Sequence, residues 1–242
     1  MRLARARTGD GPREGELQGG TLHTDDGEYE IEREDLLAPC IPSALYCVGR
    51  NYTETLDQME YDRPEEPDFF IKPPVSVIPT GSAIPYPTFS EEVTYAGELA
   101  AVIGKECKNV ASEEVPEVVR GYTIMNDVDA LDQQGRTARK AFDGSGPLGP
   151  WIETELDHRG IDMHTEINDE VRQKANTELM LFDAYEIVSY LSERFTFSPG
   201  DVIAFGSPAN PGTVEPGDDI EITYEGVGTL KNTVAVPDGT AP

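Results

Sequence analysis

Glu98, Asp127 and Lys140 are the residues whose types and placement suit chemistry. Glu98 lies in the strand-like run Val93 to Gly104, VTYAGELAAVIG, whose second half is mostly apolar. Strand side chains repeat every two residues, so Glu92, Thr94, Ala96 and Glu98 are expected on one face. A carboxylate in a buried strand is either paired or bound to a metal. Asp127 follows the apolar run Tyr122 to Met125 as the second half of an Asn126-Asp127 pair, and Lys140 stands after a polar, helix-prone segment, close to Asp143. Two carboxylates on strands suit a hard cation such as Mg2+ or Mn2+, completed by water and substrate oxygens. A lysine beside them holds a substrate carboxylate or stabilises an enolate. The competing readings are a salt-bridged core glutamate and a strand that ends in a turn. The residues alone leave both open.

The remaining motifs exclude more than they assign. Gly144-Ser-Gly146-Pro-Leu-Gly149 matches GxGxxG formally, but no strand leads directly into it. Pro147 and Pro150 also interrupt the helix that a dinucleotide would meet. There is no GxSxG elbow, phosphate-binding P-loop or HExxH motif, and His158 and His164 flank a loop without a nucleophile signature. His23 reads as a surface residue, and Asn51-Tyr52-Thr53 matches a glycosylation sequon that has no meaning in the cytoplasm. Cys40, Cys47 and Cys107 show no paired spacing, which argues against a disulfide framework or zinc knuckle and for a reducing cytoplasm. The basic start, MRLARARTGDG, lacks the apolar core of a secretory signal, and no apolar run of roughly 18 residues provides a membrane span.

The 242 residues carry 46 acidic against 19 basic side chains, a formal charge of −27, spread along the chain rather than gathered in a tail. Such a coat resembles that of proteins working at high ionic strength, where salt screens self-repulsion. It disfavours a nucleic-acid partner, since phosphate binding rests on basic side chains.

The elements that must position the three residues are mostly strands. Short strand-like pieces at Arg2 to Arg7, Glu14 to Gln18 and Thr21 to Thr24 form a small β-rich N-terminal segment, bounded at residue 42. Beyond it, Leu45 to Gly49 and the stretch from Phe69, stopped by Pro73 and Pro74, read as strands, with Thr53 to Met59 helical between them. Ser112 to Arg120 is expected as a short helix, capped by Ser112 and stopped by Gly121. Gly144 to Trp151 reads as a Gly/Pro-rich loop. Asp183 and Glu186 make a capping box ahead of a helix with Ile187, Tyr190, Leu191 and Arg194 at helical spacing. Val202 to Phe205 is a strand, and Ile220 to Tyr224 with Val227 to Leu230 is hairpin-like. With few helices and no βαβ repeat, the fold class is mixed α/β and β-rich, with a closed or folded-over sheet.

The ordered motifs LYCVGRNY, FFIKPP, YAGELAAVIGK, GYTIMNDV, KAFDGSGPLGPW, SPGDVIAFGSP and GVGTLKN resemble the fumarylacetoacetate hydrolase superfamily over residues 44 to 234. The resemblance implies a β-roll-like fold from residue 43 to 242, a homodimer, Mg2+ or Mn2+, and a small-molecule keto or dicarbonyl acid as substrate. The implied reactions are C–C cleavage, decarboxylation and tautomerisation of an oxaloacetate- or acylpyruvate-like compound. Carried over by position, it makes Glu98 and Asp127 metal ligands, Lys140 catalytic, and Gln134, Gly206 and Ser207 substrate-binding. The sequence departs from the pattern where Ala96 replaces the first glutamate of YExE. Thr55 and Gln58 replace a water-activating His and Glu, and Leu131 replaces an arginine. With one carboxylate fewer, the metal is expected to bind weakly. Two readings follow: a metal-assisted enzyme with narrowed chemistry, or a family member that kept the fold with a ligand-binding or structural dimer role.

Overall fold

The computed structural model describes residues 1–60, 62–209 and 211–236, so the last six residues of the segment drawn to residue 242 lie outside it. The chain opens with a meander of β1 (Arg2–Thr8), β2 (Gly11–Gln18), β3 (Thr21–Thr24) and β4 (Gly27–Glu30). Then come β5 (Leu45–Gly49), α1 (Thr53–Met59), β6 (Asp68–Lys72), β7 (Val77–Pro79), β8 (Ala83–Pro85), β9 (Val93–Thr94) and β10 (Gly97–Ile103). The middle holds α2 (Val115–Val118), β11 (Val119–Asn126), β12 (Asp129–Ala130), α3 (Arg136–Lys140) and β13 (Gly146–Glu153). The last third adds β14 (Asp162–Ile167), β15 (Glu170–Asn176), α4 (Ala184–Ser192), β16 (Val202–Ala204), β17 (Thr213–Val214), β18 (Asp219–Tyr224) and β19 (Gly228–Ala235). Among the described residues no helix is long and apolar enough to cross a membrane.

The architecture is mixed α/β and strand-dominant. An eleven-stranded sheet runs in the order β4-β3-β2-β1-β13-β11-β10-β16-β5-β6, with β7 added beside β13. A five-stranded sheet, β15-β14-β18-β19-β8, packs against it, and a three-stranded sheet, β12-β9-β17, caps one end. The N-terminal meander keeps a small core of its own, Ala4, Ala6, Leu22, Ile31 and Leu36, and joins the large sheet through Leu3 opposite Ile152.

Central strand β10 is buried at every residue and feeds two cores by simple alternation. Leu99, Ala101 and Ile103 point into the main core, where Met163, Ile222, Tyr224 and the apolar stripe Ile187, Val188 and Leu191 of α4 meet them. Ala100 and Val102 point to the other side, with Met125, Leu148 and Val202. The capping box of α4 forms as its sequence implies: Asp183 accepts from the Glu186 backbone N–H, and Glu186 accepts from that of Asp183, both at 2.8 Å.

Three local expectations are corrected. The run Val93 to Gly104 is not one strand; β9 breaks at Tyr95 and belongs to the small sheet, so the alternation drawn from Glu92 to Glu98 does not run through. The segment after Ser112 is a 3-10 turn followed by a single helical turn, N-capped at Ala111, and its chain is already extended at Val119. Gly121 therefore sits inside β11, where ladder pairing overrides its stop signal. The Gly/Pro-rich stretch before Trp151 is strand β13, whose Gly146 and Pro147 pair with β7.

Gly97 lies directly against side chains of the five-stranded sheet. A methyl there would lie 2.7 Å from Ile222 Cγ2 and 2.8 Å from Thr165 Oγ1. Gly97→Ala is expected to destabilise the fold by about 1–3 kcal/mol, the usual cost of overpacking, seen as a lower urea midpoint at unchanged slope.

Candidate active site

One end of the large sheet gathers the polar groups. The register of β10 on β11 sets Gly97 opposite Asn126 and Glu98 opposite Met125, so Asp127 is a diagonal neighbour of Glu98. The C-terminal ends of β16 and β5 come out beside the start of β10, and the start of β6 lies opposite the end of β5. Five adjacent strands thus bring Glu98, Asp127, Gly206, Arg50 and Asp68 to one edge. A cavity of about 420 Å³ opens there, with Glu98, Asp127, Asp129, Lys140, Arg136, Arg139, Thr55, Leu131 and Ser207 in its wall.

Beneath it lies Lys72, wholly buried on β6. Its Nζ donates to the carbonyls of Val128 (3.1 Å), Ser145 (2.9 Å) and Lys140, and stands 2.9 Å from Asp127 Oδ1. The three carbonyls take its protons, so Asp127 Oδ1 receives charge from Lys72 but no well-directed hydrogen bond. The other oxygen, Oδ2, accepts from Lys140 Nζ, which also lies 3.0 Å from Asp129 Oδ2. Arg139 grips Asp129 with two hydrogen bonds, 2.8 and 2.7 Å.

Burial alone would raise the Asp127 carboxyl, but Lys140 and Lys72 outweigh it and hold the group below the usual carboxylate range. Burial opposes the charge on Lys140 as well, and Asp127 and Asp129 overcome it, so its pKa is raised and the side chain stays a cation rather than a base. Glu98 goes the other way. Burial, then the charge of Asp127, push it up to about 8, against the pull of Lys140 and the N–H of Gly206, which donates to Glu98 Oε2 at 3.0 Å. Gly206 takes φ of 89°, and a Cβ there would lie 2.9 Å from the Val48 carbonyl, so only glycine delivers that N–H.

The arrangement fits a hard divalent cation. Two buried carboxylates repel each other across one cavity, each has one oxygen committed to a donor, and Asp127 Oδ1 lacks a hydrogen bond. Either a proton or a cation between them relieves the repulsion. Among the described residues no group of three His, Cys, Asp or Glu side chains gathers around the pair.

Of the residues singled out in the sequence, Glu98, Asp127, Lys140 and Ser207 meet in the cavity wall. Gly206 lies directly behind Glu98, and Gln134 is exposed and outside the lining. Thr55 and Leu131 line the cavity, and the Thr55 hydroxyl donates to the Ser207 carbonyl at 3.0 Å. Ser207 Oγ accepts from Gln173 Nε2 at 2.8 Å. Lys140 meets Asp127 and Asp129 rather than its sequence neighbour Asp143, which is exposed. Sequence reasoning missed Lys72, Asp68, Asp129, Arg136 and Arg139. A lysine in the apolar strand DFFIK was the available signal for the first. A second cavity, of about 480 Å³, opens at the opposite end of β10 and β11 around Cys40, Gly104 and Arg120; burial pushes the Cys40 thiol up to about 12, so it supplies no thiolate there.

Residues 44–235 match the model of the fumarylacetoacetate (FAA) hydrolase C-terminal family. The chain belongs to this family. A 5-carboxymethyl-2-hydroxymuconate delta-isomerase from Mycobacterium smegmatis superposes with a TM-score of 0.90 at 37% identity, covering 98% of this chain and 99% of that one. A mitochondrial oxaloacetate tautomerase of Bos taurus is 32% identical over 204 residues, 80% of this chain and 92% of its own. A fumarylpyruvate hydrolase from Pseudomonas aeruginosa, crystallised with Mn2+ and pyruvate, has a TM-score of 0.75 at 28% identity, covering 92% and 99%.

The raised Glu98 has a measurable consequence in the metal-free protein. An acid whose folded pKa exceeds its unfolded value contributes stability below the unfolded value, and that contribution is lost as pH rises through the folded one. Its share of stability therefore declines between roughly pH 4.3, the ordinary glutamate value, and the folded value of about 8. Thermal melts in chelator from pH 5 to 8.5 are expected to fall with pH, and Glu98→Gln to flatten that slope. A variant with the wild-type slope would show that Glu98 is not the group responsible.

Proposed function

We propose that this family member is a divalent-metal-assisted enzyme that acts on keto acids by decarboxylation or keto–enol exchange, not by hydrolytic C–C cleavage. The observation that carries the reading is the composition of the cavity wall. Glu98 and Asp127 turn toward one space, the Lys140 cation stands beside them, and nothing at Thr55 or Gln58 is basic enough to deprotonate water. A positioned general base contributes roughly 10²–10⁴-fold to hydrolysis. Neither decarboxylation nor keto–enol exchange requires a base that deprotonates water.

Glu98 and Asp127 would hold Mg2+ or Mn2+, which supplies polarisation of the substrate carbonyl when bound. Lys140 offers positive charge to the oxygen that becomes the enolate, and Asp127 and Asp129 keep it protonated for that task. In decarboxylation the bond from the carboxylate carbon to its neighbour breaks, its electron pair passes into the enolate, CO2 leaves, and a proton later completes the carbon. In keto–enol exchange the same enolate is reached when a carbon-bound proton passes to a solvent water, and a proton returned from solvent to the enolate oxygen completes the enol. The isomerase and tautomerase relatives support this class, and the manganese complex of the fumarylpyruvate hydrolase supports the cation. With only two carboxylates the cation should bind weakly. A second reading, a non-catalytic ligand-binding member, draws its support from Ala96, which leaves the pair without a third acid.

Oxaloacetate and an acylpyruvate assayed side by side with Mn2+ decide between these. Metal-dependent turnover of oxaloacetate is expected, lost in Lys140→Ala and Asp127→Ala, with little acylpyruvate hydrolysis. Brisk acylpyruvate hydrolysis would overturn the argument from Thr55 and Gln58, and metal binding without turnover of either compound would favour the second reading.

The same proposal includes a homodimer and a setting of high ionic strength. A charge of −27 carried mostly on the surface repels itself when unscreened. The melting temperature is expected to rise markedly from dilute buffer to molar KCl, and equal values would remove the high-salt reading.

A further inference from the structure

Gln173 lies outside the cavity wall, on β15 of the five-stranded sheet, yet it touches two of the chain segments that form the site. It is 1% exposed and stands opposite Thr165 of β14 as a direct cross-strand pair. An amide side chain offers two donor hydrogens and two acceptor positions. All four are used. Oε1 accepts from the Gly97 N–H at 3.2 Å and from the Thr165 hydroxyl at 2.9 Å. Nε2 donates to the Pro208 carbonyl at 3.0 Å and to Ser207 Oγ at 2.8 Å.

Two of these partners fix which way round the amide sits. A backbone N–H only donates, so Gly97 must face the oxygen; a carbonyl only accepts, so Pro208 must face the nitrogen. The second hydrogen of Nε2 then points at Ser207 Oγ, which has to accept it. A hydroxyl that accepts from the amide keeps its own hydrogen for another partner. Among the described residues the one acceptor in reach is the Pro208 carbonyl at 3.3 Å, which already takes the other Gln173 hydrogen. That distance is well beyond the roughly 2.7–2.8 Å usual for an O–H donor. Ser207 is half-buried and stands in the cavity wall, so a ligand oxygen in the cavity is the better acceptor.

The same amide spans both halves of the site. Gly97 precedes Glu98 at the start of β10, and Ser207 follows Gly206, whose N–H donates to Glu98 Oε2. The Ser207 carbonyl is held from the other side by the Thr55 hydroxyl at 3.0 Å. The loop after β16 is thereby pinned at its backbone by Thr55 and at its side chain by Gln173.

We infer that Gln173 is a positioning residue that acts through Ser207, fixing that hydroxyl as a donor to a carboxylate or carbonyl oxygen of a ligand in the cavity. The inference rests on the keto-acid reading of the site. Its test titrates pyruvate calorimetrically into the Mn2+-saturated protein, with the Mn2+ affinity and melting temperature of each variant measured alongside. Ser207→Ala and Gln173→Met are each expected to weaken pyruvate binding at least about tenfold, the scale of one hydrogen bond to a charged group. The double variant should bind no more weakly than Ser207→Ala alone, because groups that act as a unit are not additive. Ser207→Thr, which keeps the hydroxyl, should bind pyruvate like the wild type. Additive losses, or a Gln173→Met variant that binds like the wild type beside a weakened Ser207→Ala, would overturn the role of Gln173 alone. Unchanged binding in Ser207→Ala would overturn it by removing Ser207 from the ligand, and no binding by the wild type would overturn the keto-acid reading as well. If Gln173→Met does not fold, a crystal structure of the wild type with Mn2+ and pyruvate decides. A ligand oxygen within hydrogen-bond distance of Ser207 Oγ, with the Gln173 contact kept, is the expected result; a ligand out of reach of Ser207, or a broken Gln173–Ser207 contact, would overturn the assignment.

Discussion

The buried ammonium group of Lys72 is the constraint on which the site depends. It ties the end of β11, the end of α3 and the start of β13 together through the carbonyls of Val128, Lys140 and Ser145. Two of these carbonyls have a second donor, the Ser145 hydroxyl for that of Lys140 at 2.8 Å and the Val128 N–H for that of Ser145 at 3.0 Å, so the ammonium group closes a network of buried loop polar groups. Taking a charge out of water costs several kcal/mol, and an ion pair rarely recovers more than that cost. The gain from Lys72 is therefore geometric. Asp127 is fixed against it, and because Asp127 is fixed, Lys140 and Asp129 have a place to dock.

Two acids of the same type reach opposite ionisation behaviour within this one end of the sheet. Asp127 has two lysines within ion-pair distance and is held ionised. Glu98 has only the Gly206 N–H and the more distant lysine charges to set against burial and Asp127, and it is pushed up. Environments that pull the pKa values of paired groups apart are a recurring mark of acid–base and metal chemistry. The neighbouring Cys47 thiol, raised by burial and by both acids, takes no part as a nucleophile.

The sheet supplies rigidity and its frayed end supplies chemistry. Strands β10, β11 and β16 are buried along nearly their whole length, so the residues that leave their ends are held from behind by two cores. Sites built on such elements keep their geometry better than sites on free loops. The short helix α3 and the turn after β5 bring charges from outside the sheet, and Asp68 anchors both through Arg136 and Arg50. The site therefore divides into a fixed floor and a solvent-facing mouth.

The sequence by itself determined most of the strands and the α4 helix, and it singled out Glu98 and Asp127 as acids at strand positions. Alternating or continuous apolar runs, a capping box and ordered motifs are local signals, and local physics honours them wherever nothing competes. Lys140 was legible for the same reason, as a lysine set closely after Asp127. The sequence did not show that β9 breaks before Glu98 or that Gly146 to Glu153 is a strand, because pairing with distant partners overrides local turn preference. Nor did it show Lys72 as the keystone, since an ammonium in an apolar strand reads as a strand-end charge until its three carbonyl partners, 56, 68 and 73 residues away, are brought around it. The contacts of Asp68 with Arg50 and Arg136, 18 and 68 residues apart in the chain, are likewise products of strand register. Which acids and bases exist is written along the chain; which of them face one another was decided only when five strand ends met at one edge.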